Sequence, residues 1–216
     1  MGRDRRGLVG DNPNSEGERG ELELRLRELQ EQLEEYRRRY GELRLALETL
    51  TTIDPTSGVR NRLGILQSIE GALQWNSREG QPFGVVVLDI PTLAELRRHE
   101  DQVLVDEAIA HVAAVISAGL RDVDRVGRWN DDVFVVVLAK LDANGVRPVA
   151  ARLVSMLSAV PIHGERRVYE LTPKMTALLV EPKAGVSVDD LAREIDAAHG
   201  SDEPDAPRVI TFRRDA

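Results

Sequence analysis

The sequence has no cysteine, only 4% aromatic residues, and no apolar run longer than the seven residues Val133–Ala139. Each absence excludes a class of protein. Without cysteine there is no disulfide framework, thiolate metal site or cysteine nucleophile, and a cytoplasmic location is expected. A seven-residue run falls far short of the roughly 20 apolar residues that span a bilayer, so no transmembrane helix is expected. The opening Met1-Gly2-Arg3-Asp4-Arg5-Arg6 leads into polar residues, not an apolar stretch, and no secretory signal is expected. The 37 acidic and 29 basic residues give a net charge of −8, which disfavours nucleic acid and anionic membranes as partners. A local basic pocket for a small phosphate ligand stays compatible with that balance.

The 216 residues suit one domain plus an accessory segment. Residues 1–19 are rich in Gly, Arg, Asp, Asn and Glu and lack apolar periodicity, so a disordered tail is expected there. From Leu22 the pattern changes. Leu22, Leu26, Leu29, Leu33, Tyr36, Tyr40, Leu43, Leu47 and Leu50 follow alternating steps of four and three, the seam of a coiled coil, which predicts a helix over 20–52. Such a stripe needs cover: a second copy, another protein's helix, or the chain's own domain. A parallel homodimer would set Arg39 near its partner's equivalent of Arg44, whereas an antiparallel pair would set Glu23 opposite it, so orientation stays open.

Beyond residue 53 the pattern is mixed. Helices are expected at about 59–75, with Leu63, Ile65, Leu66, Ile69 and Leu73 inward, and at about 92–98, 103–119, 146–157 and 187–198. Strands are expected at 84–90, 124–128, 133–138, 167–171, 175–180 and 208–212. The β-branched run Gly84–Ile90 suits a strand covered on both faces, and Trp129-Asn130-Asp131-Asp132 supplies the turn of a hairpin. This alternation predicts one α/β domain over 53–214, a sheet with helices on its faces.

No phosphate-binding GxxxxGKS/T loop, GxGxxG or HExxH is present. His99, His111, His163 and His199 are scattered without ligand spacing, and no role is assigned to them. The informative feature is a strand ending in Asp89, followed about forty residues later by a turn carrying Asp131 and Asp132. Converging carboxylates suit a magnesium ion on phosphate oxygens, while turn aspartates alone serve turn geometry.

From about Ile53 to Phe212 the sequence resembles the GGDEF, or diguanylate cyclase, family. Asp54-Pro55-Thr56-Ser57-Gly58-Val59-Arg60-Asn61-Arg62 is similar to the entry motif DxLTGLxNR, which in the family follows a coiled-coil helix. Val87-Leu88-Asp89-Ile90 resembles the strand with the first metal aspartate, and Asp106 falls at the guanine-binding aspartate. Arg128-Trp129-Asn130-Asp131-Asp132-Val133-Phe134 occupies the RYGGDEF hairpin. The resemblance implies a central, mostly antiparallel sheet flanked by helices, preceded by a long coiled-coil helix.

The departures from the family pattern fall on the catalytic groups. Asn130 and Asp131 replace the two glycines, and a side chain with a negative charge stands where the backbone would approach phosphates. The family's catalytic glutamate is Val133, its second strand aspartate Pro91, its guanine-reading asparagine Arg97 and its phosphate lysine Ala94. The terminal lysine motif has dissolved into Gly200-Ser201-Asp202-Glu203-Pro204. Each lost electrostatic contact costs about two to four kcal/mol of barrier, so no catalytic residue and no cyclase activity are expected. Asp89 and Asp132 still match metal ligands, which leaves weak Mg²⁺ binding as the expectation.

A second site of the family is better kept. Arg121-Asp122-Val123-Asp124 is an RxxD motif whose aspartate lies six residues before Asn130, the spacing of the family's inhibitory cyclic di-GMP site. Arg152 falls where the resemblance puts a further arginine. An arginine fork can donate to guanine O6 and N7 or to phosphate, and an aspartate accepts from guanine N1 and N2. The resemblance therefore implies a cyclic di-GMP receptor with no required cofactor, acting through Arg121, Asp124 and Arg152. The alternatives are a plain surface ion pair in a nucleotide-independent scaffold or, less favoured, residual cyclase chemistry at Asp89 and Asp132.

Overall fold

A computed structural model describes residues 13–141, 143–182, 184–199 and 208–213. The chain divides into two compact units, Met1–Ala46 and Leu47–Ala216. In the first, helix α1 (Pro13–Leu50) is 38 residues long, about 57 Å at 1.5 Å per residue. It starts inside the stretch expected as a tail: residues 13–19 are helical, and residues 1–12 lie outside the described residues. Pro13 suits the first helical position because its fixed φ is pre-set for the turn and its missing N–H is not needed there. Leu22, Leu26, Leu29, Leu33, Tyr36 and Tyr40 are all about half or more exposed. The side chains of Leu43, Leu47 and Leu50, the last three of the predicted seam, lie outside the described residues.

The second unit runs α2 (Arg62–Glu79), β1 (Phe83–Asp89), α3 (Pro91–His99), α4 (Gln102–Ala118), β2 (Arg125–Arg128), β3 (Val133–Leu138), α5 (Ala143–Ser158), β4 (Ile162–His163), β5 (Val168–Tyr169), β6 (Lys174–Val180), α6 (Val188–Ala198) and β7 (Arg208–Phe212). Five strands form one sheet in the order β2-β3-β1-β6-β7. All neighbours are antiparallel except β6 and β7, which run parallel. The mostly antiparallel sheet expected from the sequence is therefore observed. The small β4–β5 hairpin was only half legible, because Ile162–His163 is too short to show a period.

Every residue of β1 and of β3 is buried, as a β-branched run covered on both faces requires. Alternation along the strands divides the core in two. Val86, Leu88, Phe134 and Val136 pack with Leu93, Ile109, Ile116 and Leu153 of α3, α4 and α5 on one face. Val85, Val87, Val133 and Val135 pack with Ile65 and Ile69 of α2 and Leu191 and Ile195 of α6 on the other. Each fully buried aliphatic side chain stabilises by about 1.5–3 kcal/mol. Leu63, expected inward, is exposed, because the buried face of α2 is centred on Ile65 and Ile69 and a residue two positions from Ile65 is turned by about 200°, to the opposite face.

The entry segment before α2 is stitched to the sheet edge. Asn61 caps α2 by accepting from the Gly64 amide at 2.9 Å and donates to the Thr51 carbonyl at 2.8 Å. Arg60 forms a parallel bridge with Gly127 of β2. Gly127 permits that approach: a Cβ there would lie 2.8 Å from the Arg60 carbonyl oxygen.

Candidate functional site

The hairpin between β2 and β3 closes without glycine. The Asn130 side chain accepts from the backbone amides of Asp132 at 3.0 Å and Val133 at 2.9 Å, a side-chain turn that replaces backbone freedom with hydrogen bonding. Arg128, 6% exposed, donates to the carbonyls of Asn130 and Asp131 and stands 3.5 Å from the Asp54 carboxylate of the entry loop. Asp54, equally buried, accepts from the Ser57 amide and hydroxyl. The turn is thereby fastened to the loop that leads into α2.

The two carboxylates predicted as metal ligands sit at neighbouring backbone positions. Asp89 ends β1 opposite Val133 in register, and the Ile90 amide donates to the Asp132 carbonyl at 2.9 Å. Each carboxylate already has a basic side chain beside it. The Arg97 guanidinium of α3 donates to the Asp132 carboxylate and, at 3.2 Å, to the Asp131 carbonyl. His199, just past α6, brings Nδ1 to 3.4 Å from Asp89. Nothing in the sequence points to His199, since it lies 110 positions from Asp89 and only the fold brings them together. Val133 is fully buried and Pro91 opens α3, so neither position adds a ligand. Asp106 lies on α4, where it accepts from Gln102 at 2.8 Å. Among the described residues no group of three or more His, Cys, Asp or Glu side chains is placed to hold a metal ion. Residues 200–204 lie outside the described residues.

At another corner, the loop from α4 to β2 carries the RxxD residues. Asp124 is buried; one carboxylate oxygen accepts from the Arg121 amide at 3.0 Å and the other from the Ala139 amide at 3.2 Å. Arg152 of α5 reaches across to donate to the Gly119 carbonyl at 2.6 Å. Arg121, Asp124 and Arg152 thus converge on one loop, with the two arginine residues exposed and the aspartate recessed.

The architecture and this order of motifs meet a known pattern: that of the family described as "Diguanylate cyclase, GGDEF domain" matches residues 51–202. The chain belongs to the GGDEF family. The diguanylate cyclase DgcP of Pseudomonas aeruginosa is 26% identical over 110 residues, which cover 51% of this chain and only 16% of that protein. Among solved GGDEF structures, the diguanylate cyclase SiaD of Pseudomonas aeruginosa, in complex with its activator SiaC, matches with a TM-score of 0.64 at 20% identity over 91% of this chain and 76% of that one. The coiled coil and GGDEF domain of DgcB from Caulobacter crescentus, in complex with c-di-GMP, matches with a TM-score of 0.64 at 19% identity over 88% of this chain and 98% of that one. The FimX GGDEF domain of Pseudomonas aeruginosa matches with a TM-score of 0.63 at 15% identity, covering 74% and 99%. At these identities the likeness is one of fold. No helix among the described residues is long and apolar enough to cross a membrane.

Proposed function

We propose that this GGDEF protein is a catalytically inactive receptor that binds cyclic di-GMP through Arg121, Asp124 and Arg152. The observation that carries the reading is the convergence of these three groups on the 119–124 loop, with Arg152 donating to the Gly119 carbonyl and Asp124 oriented by two backbone amides. A carboxylate fixed by backbone amides keeps lone pairs for a guanine edge, and the exposed residues Arg121, on the same loop, and Arg152, reaching to it, supply guanidinium groups suited to guanine O6 and N7 or phosphate.

Inactivity follows from the charges at the other corner. Asp132 is hydrogen-bonded to Arg97 and Asp89 lies 3.4 Å from His199 Nδ1, so each carboxylate that would bind a divalent ion already has a basic side chain beside it. That donor set does not suit magnesium as it stands: two carboxylates, each with a competing partner, and Val133 in place of a third. No reaction step is derived through a metal. Output would run through α1, whose exposed leucine and tyrosine stripe fits a second copy or another helix as a coiled coil. A ligand transmits only if it binds one arrangement of domain and helix better than another.

The test has two arms. Incubation with GTP and magnesium is expected to give no cyclic di-GMP, and equilibrium dialysis against labelled cyclic di-GMP is expected to give saturable binding. Turnover of GTP, or no retained ligand, overturns the corresponding half.

A further inference from the structure

A separate cleft opens between α2 and the free edge of the sheet, with a volume of about 590 Å³, within the range of small-molecule sites. Among the described residues its lining includes three basic side chains, Arg60, Arg125 and Lys140, and no acidic one, in a chain whose net charge is −8. Trp75 of α2 forms one wall, next to Gly71, whose lack of a side chain leaves that helix face open. Arg125 is anchored through Nη1 to the carbonyls of Asp122 at 2.5 Å and Asp124 at 2.8 Å, so a positive charge is fixed at the rim. Lys140 lies at φ 58°, the one non-glycine residue in the left-handed region among the described residues, and its ammonium stands 4.5 Å from the Trp75 ring centroid.

We propose that this cleft binds a small aromatic phosphate of nucleoside monophosphate size. The base would stack on the Trp75 indole in place of the Lys140 ammonium, and the released ammonium would join Arg60 and Arg125 on the phosphate. Three cations without a carboxylate favour a dianion, and the indole favours a planar ring over phosphate alone. The cleft shares no side chain with the Arg121, Asp124 and Arg152 set, and it borders the same loop through Val123 and the two carbonyls that hold Arg125.

The experiment titrates the full chain with AMP and GMP while following tryptophan fluorescence, with inorganic phosphate as competitor. Trp129, the other tryptophan, is buried with its indole N–H bonded to Asp196, so the signal reports on Trp75. Saturable quenching is expected. Lys140→Gly suits the left-handed backbone and should keep the fold while weakening binding about tenfold, and Trp75→Leu should weaken it when read by calorimetry. Arg121→Ala should leave it unchanged. Absence of quenching up to millimolar nucleotide, unchanged affinity in Lys140→Gly, or loss in Arg121→Ala overturns the proposal. Competition by inorganic phosphate at equal strength overturns the stacking role of Trp75.

Discussion

The Arg97 guanidinium on α3 is hydrogen-bonded to the Asp132 carboxylate in the β2–β3 turn, 35 residues away in sequence, with both side chains largely shielded from solvent. The chain itself thus supplies a cation beside this carboxylate.

Arg97→Ala leaves a shielded carboxylate unpaired and should cost about 1–3 kcal/mol of stability. Millimolar magnesium should recover part of the loss in the variant and leave the parent unchanged. Thermal unfolding with and without magnesium checks this; equal magnesium responses in the two proteins would contradict the internal-cation account.

Gly127 is fixed by contact. A Cβ at 127 would meet the Arg60 carbonyl oxygen at 2.8 Å and the Ile65 Cβ at 3.0 Å, neither of which is a flexible side-chain end. Gly127→Ala should destabilise by about 1–3 kcal/mol in urea unfolding, with the entry segment and α2 shifted away from β2.

Acid should loosen the start of α6. The Asp190 carboxyl is held below the ordinary aspartate value of 3.8, chiefly by the Ser187 hydroxyl and then the Ser187 amide, in a reciprocal cap. A depressed folded-state pKa gives stability that is present above 3.8 and lost as the pH falls through the lower folded value. Asp190→Asn should therefore be less stable than the parent at neutral pH, and the gap should close in strong acid. A gap that persists in acid would show that the ionised cap is not its source.

Leu29 and Leu33 sit mid-stripe on α1, both about half exposed. If the stripe pairs with a second copy, the parent should sediment as a dimer, and the double change Leu29→Glu, Leu33→Glu should yield a monomer with unaltered domain unfolding. A monomeric parent would direct attention to a helix of another protein.

Much of the fold was legible because its strands are extreme. Val133–Leu138 and Val85–Leu88 are short apolar runs rich in β-branched residues, the pattern of strands buried on both faces, and Asn130-Asp131-Asp132 between apolar runs carries turn chemistry. The short β4 and the start of α1 were not legible, since two residues show no period and the local composition around Pro13 argues against order. At the site, Asp89 and Asp132 stand out in the sequence as a strand-end and a turn carboxylate, whereas Arg121, Asp124 and Arg152 come only from the resemblance to the GGDEF family. The Arg97 pairing and the His199 contact were not legible, because each depends on packing between elements far apart in the chain.

Asp124 is a poor variant for testing ligand binding, since its carboxylate also holds two backbone amides and its loss would disturb the loop. Arg121 is exposed, and its side chain can be removed without that cost. Calorimetric titration of cyclic di-GMP into the parent and into Arg121→Ala, with GTP plus magnesium as the comparison ligand, is the most direct test of the central claim. The account predicts low-micromolar heat with cyclic di-GMP in the parent alone, and none with GTP. Binding of GTP with magnesium, or no heat from cyclic di-GMP at high protein concentration, would contradict it.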